Sequence, residues 1–533
     1  MAATSRPLAR VPSASDKPPL PPVDVPQDAA TTAAAAPLPR RSLFQLALQH
    51  ALSSWGTRSY EFAAPLFFIH AYSASLLAAS LYGCLTTLAA ILLAGSAGRL
   101  VDVYAARKRA MLRGAVAVQS VALAAAYALF ATLLNVDHLG RNAENAGTGP
   151  ERGSPNADVW TLFAAITAVG CVVTLANVSV SVSIERDWVT SIAAHDSRTL
   201  SRLNAIMRRI DLLTKLLAPL FVSLLTSTAG YPRACFILLG FALGGGLLQL
   251  LLIGRTYACF PALAADEARV RALKLEQQEP SPSPDVAMAQ SYPPRRVARA
   301  QAGVRSWLQG QVSDWRVFVR MPVFPSSVSL ALLYMSALSF DPAFIGYLKS
   351  ETYYSDAMVA GMRGLCVVTG LGGTFLAPYL ISRIGLTRTG TWALAMLLLP
   401  LLPTLLALFL GAGPGRERPA WNGALLFGGM AASRVGLWSF DLAQLQMVQE
   451  ALSTHPRRNS LMALQVSLQN LFDLGHYGLT IGWSLPSQFK YAALTSYCAL
   501  LAAGVIYVGV YARRDRGHVL HLGWLRLHDT KSR

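Results

Sequence analysis

The sequence predicts an all-α membrane protein with twelve transmembrane helices in two six-helix halves. Three observations lead there. Of 533 residues, 53% are hydrophobic and only 14% are charged, against about 25% charged in soluble domains. Mean hydropathy is +0.39. Twelve apolar runs reach the roughly 20 residues that a helix needs to cross a bilayer, and the widest gap separates the sixth run from the seventh.

Residues 1–42 are rich in Pro, Ala, Ser and Thr and read as a disordered cytoplasmic tail. They hold no apolar stretch of the kind a signal peptide needs, and only a weak case exists for an organelle transit peptide. Runs near 43–70, 75–98, 110–134, 158–183, 206–228 and 234–258 make the first half, residues 43–258. Residues 259–325, with Pro-Ser-Pro-Ser-Pro and mixed charges, read as a cytoplasmic linker. Runs near 326–349, 357–382, 389–411, 421–447, 460–484 and 490–512 make the second half, residues 326–512, and residues 513–533 a cytoplasmic tail. Lys and Arg concentrate in the even-numbered connections and at both ends, which predicts that both termini are cytoplasmic.

The formal charge of +18 is placed mostly at the ends of apolar runs, where basic residues fix topology and meet anionic lipid. No RNP motif, zinc finger or aromatic-interleaved basic strip is present, so nucleic acid is not an expected partner. The six cysteines form no CxxC pair and read as small buried hydrophobes, with no disulfide implied. No Gly-x-x-x-x-Gly-Lys-Ser loop points to an ATP-driven pump or to an enzyme of that kind.

Ionisable residues inside apolar runs carry the functional signal, because a charge at bilayer depth costs roughly 2.5–3.5 kcal/mol on insertion scales. Arg434 and Asp441 lie seven residues apart in the tenth run. Two helical turns put them on one face, about 10 Å apart. In the first run Thr57 and Glu61 share a face. Glu61 is open to three readings: an oxygen ligand for a divalent cation, a proton carrier, or a partner of Arg58. Glu185, Arg186 and Asp187 end the fourth run, and Arg208, Arg209 and Asp211 open the fifth; together they predict an inter-helix charge network. Lys215, four residues after Asp211, is placed to pair with it. Asp341-Pro342 interrupts the seventh run, either as a kink or as a break that exposes backbone oxygens. In the eleventh run Asp473 and His476 lie on nearly one face, and His476 is open to metal ligation, proton relay or a structural role.

The second connection reads Gly98-Arg-Leu-Val-Asp102, then Arg107-Lys108-Arg109. It resembles the cytoplasmic loop signature of the major facilitator superfamily. Such an Asp at a helix end can pair with Arg or with a helix N-terminus in one conformation and release it in another. An ordinary positive-inside loop is the plainer alternative.

Longer strings resemble the ferroportin family of iron exporters. They are His50-Ala-Leu-Ser-Ser-Trp-Gly-x-Arg58, Glu185-Arg-Asp-Trp188, Asn204 through Pro219, Leu332 through Asp341, Gly385 through Gly390, Arg434 through Leu442, and Gln469 through His476. The resemblance spans roughly 43–512 and implies a major-facilitator-type fold that exports Fe2+, with Co2+ as a possible further cargo. Alternating access, proton exchange and no permanently bound cofactor are implied with it. It also implies one metal site per half, with His476 matching the family's histidine in the second. Asp341 and Asp473 stand near that site as supporting groups. Four positions depart from the family: Thr57 and Glu61 replace an aspartate and a histidine, and Lys215 and Pro342 stand where vertebrate members carry Asn and Cys. That cysteine also serves hepcidin binding, so hepcidin control is not expected. An ammonium at Lys215 could stand in for a bound cation. The alternatives are a carrier of another divalent metal or of an organic cation, and a non-transporting receptor. The family favours the plasma membrane, with vacuolar or plastid membranes open, and the sequence does not fix the oligomeric state.

Overall fold

The computed structural model describes residues 38–71, 77–145, 157–194, 196–276, 296–338, 344, 347–348, 356–410, 420–483 and 485–516. Asp341 and Pro342 lie outside the described residues. From Arg40 onward the chain is one contact unit, separate from the tail before it.

Each predicted run falls at least partly on a helix; the seventh, near 326–349, is helical to Tyr334, and Ser336–Leu338 are not helical. The first group comprises α1 (Arg40–Ala71), α2 (Leu77–Val103), α3 (Lys108–Asn145), α4 (Ala157–Ser181), α5 (Ser197–Ala229) and α6 (Tyr231–Ala258). The intervening segment is not a plain linker, as the sequence suggested. It carries two further helices, α7 (Pro261–Glu276) and α8 (Arg296–Arg320). The second group is α9 (Phe324–Tyr334), α10 (Asp356–Ile384), α11 (Leu386–Leu410), α12 (Ala420–Leu452), α13 (Arg458–Gly482) and α14 (Phe489–Ile506). Asp196 starts α5 as its N-cap, accepting from the backbone N–H groups of Arg198 and Thr199 at 3.2 and 3.1 Å. Those bonds hold its carboxyl below the usual carboxylate range.

Among the described residues eight helices are long and apolar enough to cross a membrane, and the α8–α9 pair, bent by 102°, makes a ninth if read as one span. Helices α1, α12 and α13 have the length but not the apolarity. Their buried faces carry Gln49 and His50, Asp441, Gln444 and Gln446, and Asn459 and Gln465. A helix that turns polar groups inward faces a partner or water rather than lipid.

Each group has its own apolar core. Phe67, Phe68, Tyr127, Phe130 and Phe163 centre the first, and Leu401, Met430, Phe440, Tyr497 and Tyr507 the second. Of the cysteines only Cys235 and Cys366 are buried, while Cys84 and Cys498 are exposed on helix surfaces. Their apolar neighbours had suggested burial for all six, but a run that faces lipid exposes half its side chains.

At one end the two groups are sealed together by polar contacts. The Asp102 carboxylate accepts from the backbone N–H groups of Asn459 and Ser460, at 3.1 and 2.8 Å. It therefore caps α13, whose own N-cap residue, Arg457, offers no side-chain acceptor. Beside it Lys108 Nζ lies 2.6 Å from Asp187 and 2.9 Å from Asp266. Arg458 meets the same two carboxylates at 2.5 and 3.0 Å. Asp266 belongs to α7. From α8, Asp314 meets Arg99 at 3.3 Å and Arg457 at 2.8 Å and accepts from Ser460 Oγ at 2.8 Å. Lys108 is the buried cation of the basic loop; Arg107, singled out from the sequence, is exposed. The motif spacing could not distinguish neighbours in a run of three cations.

Gly98 lets α2 and α13 touch. A Cβ there would stand 2.4 Å from the Asn459 carbonyl oxygen and 2.6 Å from Ala463 Cβ. Gly98→Leu should therefore wedge the seal open at a cost of about 1–3 kcal/mol. In a cysteine-free background with Gln444→Cys, labelling by an impermeant thiol reagent from the sealed side should rise roughly tenfold. An unchanged rate would mean that the groups part elsewhere.

Burial raises the Asp266 carboxyl, but Lys108 and Arg458 more than offset this and hold it well below the usual carboxylate range. A depressed folded-state value gives stability that is full above the unfolded value, about 3.9, and is lost as pH falls through the folded one. Asp266→Asn should thus lower the melting temperature at pH 7, by on the order of 3 kcal/mol in stability. The gap to the parent should persist to about pH 5 and shrink below about pH 4. A gap constant down to pH 3 would contradict the assignment.

Candidate functional site

Between the groups lies a cavity of about 700 Å³. Helix α1 contributes one continuous stripe to it: His50, Ser54, Thr57, Arg58, Glu61 and Pro65. These recur at helical spacing, so a single face of α1 forms the wall. Helix α13 answers with Gln465, Gln469, Asn470 and Asp473 at the same period. Glu185 and Arg186 of the fourth helix, Arg208, Asp211 and Lys215 of α5 and Asp441 of α12 complete the charged lining.

The fourth helix changes geometry as it reaches the cavity. Val182–Trp188 widens into a π-helical turn, with the Val189 N–H bonded to the Ile184 carbonyl five residues back. Such turns are rare and often mark functional positions. Here the turn sends three successive ionisable residues in different directions. Glu185 lines the cavity and its Oε1 accepts from Ser181 Oγ at 2.7 Å. Arg186 donates across the groups to the Met462 carbonyl. Asp187 joins Lys108 and Arg458 in the seal.

The other predicted charges separate into distinct tasks. Arg208 NH2 meets Asp441 at 2.7 Å across the groups. Arg209 donates to Thr374 Oγ1 and to its carbonyl, both at 3.1 Å, and its guanidinium lies 3.6 Å over the Phe375 ring. Asn204 donates to Gln449 at 2.5 Å. Arg434 and Asp441 share a helix but not a function. Arg434 NH2 donates to the Leu338 carbonyl at 2.6 Å, just beyond the end of α9.

That end is a broken span. Helix α9 stops at Tyr334, seven residues before the predicted interruption at Asp341, and Ser336–Leu338 are not helical. Freed backbone groups at bilayer depth must find partners. Arg434 takes the Leu338 carbonyl, and Ser496 Oγ accepts from the Ala337 N–H at 2.9 Å. On the facing helix Gly475 approaches Met335, whose sulfur would lie 3.6 Å from a Cβ there. His476 is the next residue and is buried.

In the first group the predicted donors do not converge. Glu61 is bound by Arg58 at 2.6 Å. Thr57 Oγ1 donates to Asn177 at 3.2 Å and accepts from Gln119 at 3.3 Å. Asp211 does not pair with Lys215. It accepts from Ser54 Oγ at 2.7 Å and meets His50 Nε2 at 2.9 Å, while Arg208 NH1 stands 3.6 Å from its other oxygen. No described residue forms an ion pair with Lys215, whose ammonium arm lines the cavity. His50 is the residue that sequence reasoning passed over. Its position seven before Thr57, on the same face, was the available signal. Lys108, Asp266 and Arg458 had no such signal, because their partners come from helices far apart in sequence.

The family model for Ferroportin1 (FPN1) matches residues 40–500. Among known relatives, solute carrier family 40 member 2 of Arabidopsis thaliana is 29% identical over 502 residues, covering 91% of this chain and 92% of the relative. Among solved structures, a bacterial homologue of the iron transporter ferroportin in an outward-facing state gives a TM-score of 0.68. It is 23% identical and covers 89% of this chain and all of its own. A major facilitator superfamily proton:xylose symporter gives 0.55 at 12% identity, over 88% of this chain and 96% of its own. The helical fold is that of these transporters, and the chain is a multi-pass membrane protein that belongs to the ferroportin family.

Proposed function

We propose that this protein exports ferrous iron, or a related divalent metal such as cobalt, by alternating access coupled to proton exchange. One observation carries the reading: an ionisable cavity lies between two helix groups whose contacts at one end centre on buried hydrogen bonds and ion pairs. Polar contacts can exchange partners with water, whereas an apolar seal would have to expose core surface. The solved homologue named as an iron transporter supports the cargo, and its outward-facing state fits a closed Asp102 end. In this reading α1–α6 and α9–α14 are the two six-span halves, with α1, α12 and α13 as polar spans facing the pathway. The sealed end and both termini are cytoplasmic, and the plasma membrane is the proposed location.

His476, with Asp473 one turn before it, is the proposed metal position of the second half, and Asp341 would join them. Flux of Co2+ or Fe2+ into proteoliposomes under a set pH gradient tests this. The parent should transport, and His476→Ala should lose at least nine-tenths of the flux. A parent that moves neither metal at any gradient would reject the metal cargo and direct the search to organic cations.

Lys215 opposes a cation in the same cavity. Removing one like charge at cavity distance is worth on the order of 1 kcal/mol at an intermediate dielectric. Lys215→Asn should lower the half-saturating cobalt concentration roughly fivefold. An unchanged value would show that the ammonium does not sense the cargo.

A further inference from the structure

Thr57 and Glu61 are engaged elsewhere, yet one set of donors in the first group does converge. A nitrogen of His50 and carboxylate oxygens of Glu185 and Asp211 all lie within 4.8 Å of one another, the only such set of three among the described residues. All three line the cavity, and His50 is 3% exposed. They come from α1, the π-helical turn and α5, so the set exists only because that turn swings Glu185 inward. Ser54 Oγ is 2.7 Å from Asp211 and 3.4 Å from His50 Nε2, a fourth oxygen at the same point.

We propose that His50, Glu185 and Asp211 form a binding station for a divalent first-row cation, about two helical turns nearer the seal than Thr57 and Glu61. The station deepens the metal-exporter reading and rests on it for the identity of the cargo.

The donor chemistry fits. One imidazole with two carboxylates suits Fe2+, Co2+ or Zn2+ better than Ca2+ or Mg2+, which take oxygen alone. Metal–ligand bonds of roughly 2.0–2.2 Å place neighbouring donors about 3–3.5 Å apart. The set spans that range after a small rotation of side chains. Two carboxylates match the ion's charge.

The opposing charge is Arg208, 3.6 Å from Asp211 Oδ2. It is anchored away by Asp441 at 2.7 Å, which leaves Asp211 Oδ1 directed at His50. Ser181 holds one Glu185 oxygen, and the other is left for the cation. Arg186, on the same turn, is spent on the Met462 carbonyl. The station is thus built within the first group, while the arginine that would compete with its cargo is held by the second.

Equilibrium dialysis of the full-length protein in detergent against Co2+ provides the test. The parent should bind a class of cobalt that survives His476→Ala. His50→Gln, Glu185→Gln and Asp211→Asn should each weaken that class tenfold or more. The glutamine at position 50 keeps a hydrogen-bond donor toward Asp211, which guards against loss of fold. As a second readout, His50→Cys with Cd2+ should give an ultraviolet thiolate-to-metal charge-transfer band, abolished when Asp211→Asn is added. A purely structural His50–Asp211 contact would produce no band. If cobalt binding is lost only in His476→Ala and no band forms, the station is wrong while the exporter reading stands. If liposomes show no metal flux but these variants alter binding as described, the station stands and the exporter reading fails.

Discussion

The closed end of the bundle depends on one carboxylate capping a helix that is not its own. Asp102 belongs to α2, yet it supplies the acceptor that the first turn of α13 lacks. The N-cap residue Arg457 makes no side-chain cap bond, and His455 takes only the N–H groups of Arg457 and Arg458. If the groups part as proposed, water can bond those N–H donors at little cost, so the same cap that closes the end would be cheap to release. The ion pairs around it divide along the same boundary. Lys108, Asp187 and Asp266 stay together within the first group and α7; Arg458 arrives with α13. Asp314 on α8 reverses the arrangement, keeping Arg457 and Ser460 and losing Arg99. If the groups parted, Asp187 and Asp266 would keep Lys108 and Asp314 would keep Arg457, which avoids the heavy cost of stranding a buried charge; Asp441, paired with Arg208 across the groups, would need a new partner.

The same logic shapes the pathway. A membrane helix must be apolar on any side that faces lipid, and α2, α6 and α11 are apolar enough to cross a bilayer. A helix that lines the space between groups can carry a polar stripe, and α1 and α13 do. Low apolarity in a segment of full spanning length therefore marks the working helices, and the ionisable residues that matter most sit on the helices least like ordinary spans.

Much of this was legible in the sequence. Run length gave the helices, because an apolar stretch of about 20 residues has few alternatives. Asp102 and the residues around Arg434 and Arg208 were visible as charges in the wrong solvent. Their partners were not, because pairing across the bundle depends on helix rotation that no local spacing encodes. Arg434 and Asp441 share a face at seven residues, yet Arg434 reaches the Leu338 carbonyl beyond α9 and Asp441 reaches Arg208 on α5. Lys215 and Asp211 look like a pair at four, and His50 intervenes. The linker hid its role because Asp266 and Asp314 resemble any solvated acid until Lys108, Arg458 and Arg99 are brought to them. Glu61, read as a metal position, and Thr57, read as an altered one, were legible only as residue types; Glu61 meets Arg58 and Thr57 meets Asn177 and Gln119.

The segment that follows the ninth helix is held partly through main-chain atoms: the Leu338 carbonyl to Arg434 and the Ala337 N–H to Ser496, with the Leu338 N–H also donating to Ser336 Oγ at 3.2 Å. Proline at 337 would remove the donor that Ser496 accepts from. Ala337 and Leu338 are at the same time buried in the second core. The break is thus tied to α12 and α14 through its backbone and to the core through its side chains, which makes it a joint that moves only with the helices around it.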